Sequence, residues 1–121
     1  MKFLKKKKTI KVNGFLMSNF KKKIVITGGT GRFAKEIKKK IKDINYNCYL
    51  PSKKKLDILN LVSIRNYLKI KKPKYLIHAA GLSRPMDVHE KNIGKSIDLN
   101  IIGTSNIVKI CDILNIKLIF L

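Results

Sequence analysis

Tryptophan is absent from this chain of 121 residues, alanine occurs three times, and seven acidic residues face 28 lysines and arginines. Each scarcity excludes something. The two cysteines, Cys48 and Cys111, lie far apart and without metal-ligand spacing, which argues against both a disulfide framework and a zinc site. Thiols kept reduced in the cytoplasm are the expectation, and no metal site is expected. No apolar run approaches the ~20 residues that span a bilayer. The segment FLKKKKTIKVNGFLM has the basic start of a signal peptide but lacks its apolar stretch and small-residue cleavage site, so a cytoplasmic protein without membrane attachment is expected.

The shortage of acids leaves a net charge of +21, which raises the question of a nucleic-acid partner. The basic residues are almost all lysine, as in the proteins of AT-rich genomes, and they are spread along the chain. Aromatic residues do not interleave with them as a stacking surface for single strands requires. A nucleic-acid-binding protein is therefore the remote reading. Its affinity would fall steeply with salt. Hydrophobic residues make up 45% of the chain, enough for one globular domain with a core.

What the chain does contain is organised around Lys22 to Ala34, KKIVITGGTGRFA. Ile24, Val25 and Ile26 are β-branched and uninterrupted, as in a strand buried on both faces of a parallel sheet. Gly28, Gly29 and Gly31 then permit a tight turn and a close approach of backbone N–H groups to a pyrophosphate. A helix beginning at Arg32 aims the positive end of its dipole at the same place. The spacing G28-x-x-G31-x-x-A34 is a variant of the dinucleotide fingerprint, weak when taken alone.

Residues 1–20 read as a basic extension without order; either they form a tail or translation starts at Met17. Residues 21–121 read as the N-terminal part of one domain. Phe33, Ile37 and Ile41 give the first helix an apolar face and carry it to about Asp43. Tyr46 to Leu50 is a second strand closed by Pro51. Leu56-Asp57-Ile58 follows too soon for a full crossover helix, which implies a clipped unit. Asn60 caps a helix bearing Leu61, Ile64 and Leu68, and Pro73 ends it. Lys74 to Ala79 is a third strand. Ile93, Ile97, Ile101, Ile107, Ile110 and Leu114 predict the broad apolar face of a long helix, with an interruption near Gly94 or Gly103. Lys117 to Leu121 is a fourth strand. The alternation predicts an α/β fold, a doubly wound parallel sheet of the Rossmann type, truncated after about four principal strands. Its switch point would bring Gly28–Gly31 and Ala79–Gly81 together across one crevice.

TGGTGRFA, LDI, KPKYLIHAAG, SRPMDVHEKN and DLNIIGTSNIV, in this order, resemble the N-terminal half of extended short-chain dehydrogenases/reductases. The nearest group is the dTDP-4-dehydrorhamnose reductase-like sugar-nucleotide enzymes, and the similarity covers about residues 21 to 121. It implies that Gly28, Gly31, Arg32 and Phe33 form the turn under the cofactor pyrophosphate, that Asp57 and Ile58 lie beside the adenine, and that Ala79, Ala80 and Gly81 pass the nicotinamide-side ribose. It makes Asn100 the helix asparagine that supports the active site, and it puts Ser83 and Arg84 near the substrate. His78 reads as a hydrogen-bonded structural residue, and His89 with Glu90 as solvated surface.

Cofactor preference is argued from position. The acidic residue that accepts from an NAD ribose sits ~20 residues beyond the glycines. That region of this chain holds no acid but does hold Ser52 and Lys53, so NADP(H) is favoured over NAD(H). The resemblance further implies a catalytic Ser/Thr and a Tyr-x-x-x-Lys helix downstream of Leu121, a nucleotide-sugar substrate, and a homodimer as an option for the complete protein. Tyr49 and Lys53 have the spacing, but Pro51 between them forbids the helix that would align them. The expectation is thus the NAD(P)-binding half of a sugar-nucleotide reductase or epimerase, marginal or aggregation-prone and inert by itself. A noncatalytic NAD(P)-binding regulatory or redox-sensing module is the alternative.

Overall fold

The computed structural model describes residues 10–12, 15–17, 21–42, 44–81 and 86–121. Near the N-terminus, β1 (Ile10–Val12) and β2 (Phe15–Met17) pair antiparallel. Part of the extension expected to lack order therefore carries a ladder of its own, which shares no pairing with the main sheet.

The main sheet has four parallel strands in the order β4-β3-β5-β6, formed by β3 (Lys22–Thr27), β4 (Tyr46–Tyr49), β5 (Tyr75–His78) and β6 (Lys117–Phe120). The chain leaves β3 for β4 on one side and returns through β5 on the other, so the winding direction reverses between β3 and β5. That is the doubly wound arrangement the sequence predicts.

Period-two alternation sorts the strand residues onto two buried faces. Val25 and Leu76 point to the side covered by α2 (Leu61–Lys71) and α5 (Gly103–Ile113), where they meet Ile64, Leu68, Ile107, Ile110 and Cys111. Ile24, Ile26 and Ile77 point to the side covered by α1 (Arg32–Ile41), against Ala34. The outer strand is less protected. Ile119 is half-exposed, and Phe120 and Leu121 are more than half-exposed.

Local signals set the helix ends. The Asn60 side chain accepts from Ser63 N–H at 3.0 Å, an N-cap contact worth roughly 1 kcal/mol. Lys72 adopts a left-handed conformation at the end of α2 and donates its N–H to the Leu68 carbonyl, and Pro73 prevents continuation. The β4-to-α2 connection forms no strand at Leu56-Asp57-Ile58, yet Leu56 and Ile58 are buried, so the clipped unit packs as a loop.

The long helix expected over Ile93 to Leu114, with an interruption near Gly94 or Gly103, is interrupted by a π-helical turn just before Gly103. A short α3 (Met86–Lys91) precedes it, and the helix runs through α4 (Ile93–Ile97), a π-helical turn (Asp98–Ile102) and α5. Ile93, Ile97 and Ile101 stand exposed, whereas Ile107 and Ile110 are core residues. The Gly103 N–H reaches back five residues to the Asp98 carbonyl. One extra residue in a turn rotates everything beyond it by about 100°, so the two halves cannot share one face.

Candidate functional site

Two cavities open along the carboxyl ends of the strands. One, of about 370 Å³, is lined by Thr27 to Gly31, Pro51, Lys53, Leu56, Asp57, Ile58 and Leu99. The other, of about 450 Å³, is lined by Phe33, His78, Asn100, Thr104, Phe120 and Leu121. Ala79, Ala80 and Gly81 line both, so the end of β5 forms the divide of a single crevice at the sheet's switch point.

The glycine turn is built for close approach. Gly28 has φ +73°, and a Cβ there would lie 2.8 Å from the Ala79 carbonyl oxygen and 3.0 Å from Ala80 N. Gly31 donates to the Gly28 carbonyl at 2.8 Å and begins α1 with no side-chain cap. The N-terminus of this ten-residue helix thus lies at the first cavity, which Gly31 lines, without a side-chain cap.

Asp57 and Ile58 are held from two directions. Ser63 Oγ accepts from Asp57 N–H at 3.0 Å, and an Asp57 carboxylate oxygen accepts from Leu59 N–H at 3.0 Å. From α5, the buried Asn106 amide donates to the Ile58 carbonyl at 3.0 Å. Gly103 supplies the space: a Cβ there would meet Ile58 Cδ1 at 2.6 Å.

The residues singled out from the sequence distribute unevenly over this geometry. Gly28, Gly31, Lys53, Asp57 and Ile58 line the first cavity, Phe33 and Asn100 the second, and Ala79, Ala80 and Gly81 both. Arg32 is exposed and lines neither. Ser52 lines neither; its carbonyl accepts from Lys55 and Leu56 N–H and closes the loop instead. Ser83 and Arg84 lie outside the described residues. His89 bonds to Ser96 at 2.7 Å, and no cluster of potential metal ligands occurs among the described residues.

A family model described as the RmlD substrate binding domain matches residues 22–121. The chain belongs to that family. Among solved structures, this RmlD-family chain resembles the Bacillus anthracis dTDP-4-dehydrorhamnose reductase, determined in complex with NADP, at 27% identity and a TM-score of 0.76, covering 82% of this chain and 35% of that one. It resembles the Clostridium acetobutylicum dTDP-4-dehydrorhamnose reductase ortholog at 26% identity and a TM-score of 0.70, covering 79% and 34% of the two chains. A Yersinia pseudotuberculosis GDP-L-colitose synthase is 43% identical over 60 residues, which is 50% of this chain and 20% of that protein. The chain thus spans about a third of the length of those solved relatives and a fifth of the curated one. The likeness to the dTDP-4-dehydrorhamnose reductase-like group drawn from the sequence is borne out.

The RmlD-family chain also has wiring that sequence reasoning missed. Thr27 is almost fully buried, and its Oγ1 accepts from both Ala79 N–H and Ala80 N–H at 3.1 Å. Both lone pairs are then used, so its O–H donates to His78 Nδ1, 2.7 Å away. His78 must be the neutral tautomer with its proton on Nε2, and that N–H donates to Thr104 Oγ1 at 3.0 Å. The structural reading of His78 agrees with this network. The available signal was positional: Thr27 and His78 are the last residues of neighbouring strands and pair in register.

Sequence reasoning wrongly excluded Tyr67 as lacking a lysine four positions later: Tyr67-x-x-x-Lys71 has the catalytic spacing and lies on a helix. It occupies the last two turns of α2, toward the amino end of β5 and away from the crevice. Lys71 Nζ sits 4.5 Å from the Tyr49 ring centroid and 6.0 Å from that of Tyr67, an arrangement that packs the ammonium on aromatic faces.

Burial lowers the His78 pKa below its ordinary 6.5. The unfolded chain therefore binds more protons between pH 6.5 and the folded value, so stability rises with pH across that window. Its contribution is complete above 6.5 and is lost on acidification. Urea midpoints at pH 7.5 and 5.5 should differ in that direction, and His78→Gln should flatten the difference. An unchanged pH slope in the variant would show that His78 is not the group responsible.

Proposed function

We propose that the crevice binds NADP(H), the adenosine half beside Lys53, Asp57 and Ile58, the pyrophosphate over Gly28–Gly31, and the nicotinamide half beyond Ala79–Gly81. The observation that carries this reading is the single crevice divided by Ala79–Gly81, with a left-handed glycine at its centre and a helix N-terminus beside it. The NADP complex of the Bacillus anthracis relative supports it. Preference for the 2′-phosphate would come from Lys53, whose ammonium can make a charge-assisted hydrogen bond; Ser52 is dropped from that part.

The whole protein is proposed to be a reductase or epimerase acting on a nucleotide-sugar. The nicotinamide would exchange hydride with a sugar carbon when bound. This chain's residues hold the cofactor and shape the cavity, while the Ser/Thr and Tyr-x-x-x-Lys that complete proton transfer are proposed to lie beyond Leu121. Asn100, on the π-helical turn, donates its amide to Ser96 Oγ at 3.3 Å and is the residue proposed to support that machinery.

Fluorescence titration tests the cofactor assignment. NADPH is expected to bind more tightly than NADH, and Lys53→Ala should weaken NADPH about tenfold, as loss of one charge-assisted hydrogen bond does, while leaving NADH within twofold. Equal affinities in the wild type would overturn the NADP(H) preference. Absence of binding by either would overturn the cofactor assignment itself.

A further inference from the structure

We propose that Thr104 is a cofactor-contacting donor, aimed at the nicotinamide half of the dinucleotide by a one-way hydrogen-bond relay through His78. This rests on the NADP(H) reading above and extends it to a residue outside the glycine turn and the adenosine pocket.

The direction of the relay follows from valence. The backbone N–H groups of Ala79 and Ala80 saturate the acceptor side of Thr27 Oγ1, so its hydroxyl proton goes to His78 Nδ1. The imidazole is left with its only proton on Nε2, which goes to Thr104 Oγ1. Thr104 therefore meets its buried neighbour as an acceptor, and its own hydroxyl proton is left over.

Thr104 also lines the second cavity, together with Phe33, Asn100 and Phe120. Phe120 stacks near the His78 ring, with centroids 5.9 Å apart and planes inclined by 30°, which holds the imidazole in place. The imidazole cannot reverse the relay cheaply: a proton on Nδ1 would give Thr27 Oγ1 a third donor and leave its own hydrogen without a place. The complementary ligand atom is an oxygen acceptor on the part of the dinucleotide beyond the pyrophosphate. His78 is a positioning residue in this scheme. Its part is to fix which way the Thr104 hydroxyl points.

The test compares NADPH with 2′,5′-ADP, which carries the adenosine end alone. Thr104→Val should weaken NADPH about five- to tenfold, in line with one lost neutral hydrogen bond, and leave 2′,5′-ADP within twofold. Thr104→Ser should restore NADPH affinity to within twofold of wild type. Equal weakening of both ligands would mark a structural role and overturn the proposal, as would unchanged NADPH binding in Thr104→Val. A long-range ¹H–¹⁵N spectrum of the wild type provides a check independent of any variant. Nδ1 should carry the shift of an unprotonated acceptor, and a proton on Nδ1 would overturn the relay. If the wild type binds 2′,5′-ADP and only the Thr104 results fail, the cofactor reading stands and this inference falls; if the wild type binds neither ligand, both fall.

Discussion

Gly28→Ala is expected to lose roughly 2–4 kcal/mol of folding stability and to bind nucleotide too weakly to titrate, although it adds a single methyl group. Two costs combine. At φ +73° an L-residue is strained wherever it sits, and here the new Cβ would also approach the Ala79 carbonyl oxygen to 2.8 Å. Neither contact can be relieved by a rotamer change, because both partners are backbone. Separating the ends of β3 and β5 would lengthen the bonds from Ala79 and Ala80 N–H to Thr27 Oγ1, now 3.1 Å each. Gly94→Ala is the matching control: its Cβ would find nothing nearer than Asn92 Oδ1 at 3.9 Å, and its φ lies outside the left-handed region. That variant should be neutral or slightly stabilised, as replacing a helical glycine by alanine usually is. Urea unfolding followed by circular dichroism compares the two, and a Gly28→Ala midpoint equal to wild type would show that the close approach does not constrain the fold.

The same residues explain how much could be read in advance. Ile24-Val25-Ile26 declares a strand buried on both faces because three β-branched residues in a row leave no solvent face, and Asn60 and Pro73 bracket α2 by chemistry that acts within a few residues. The Gly28 turn was legible for the same reason. What was hidden is contact between distant positions. The π-helical turn ends where Gly103 fits against Ile58, and the loop at Ile58 is tied to Asn106, 48 residues away. Apolar spacing put Ile93, Ile97 and Ile101 on one face with Ile107 and Ile110, and although an interruption near Gly94 or Gly103 was expected, its one-residue phase shift leaves no mark in composition. Ser52 and Lys53 looked equivalent as donors, but the loop turns one carbonyl inward on itself and leaves the other side chain at the cavity.

Thr27→Val should be among the most damaging substitutions of equal volume in the chain. The change is close to isosteric, so the cavity and strain terms that dominate most core mutations are absent, and what remains is hydrogen bonding. Three groups lose their partner together: Ala79 N–H, Ala80 N–H and His78 Nδ1. Leaving one buried polar group unsatisfied costs ~1–3 kcal/mol, so a loss of about 3 kcal/mol or more is expected, a large part of the ~5–15 kcal/mol by which domains are stable. His78 has one escape. With no donor at Nδ1 it can adopt the other tautomer and take the Thr104 hydroxyl proton at Nε2, but its Nδ1–H then faces a methyl group. Thr27→Ser, which keeps the hydroxyl and removes a methyl, should lose far less, about 1 kcal/mol. The ordering of the two variants is the decisive result. If valine proves the milder replacement, then packing of the Thr27 methyl holds the ends of β3 and β5 together, and the hydroxyl does not.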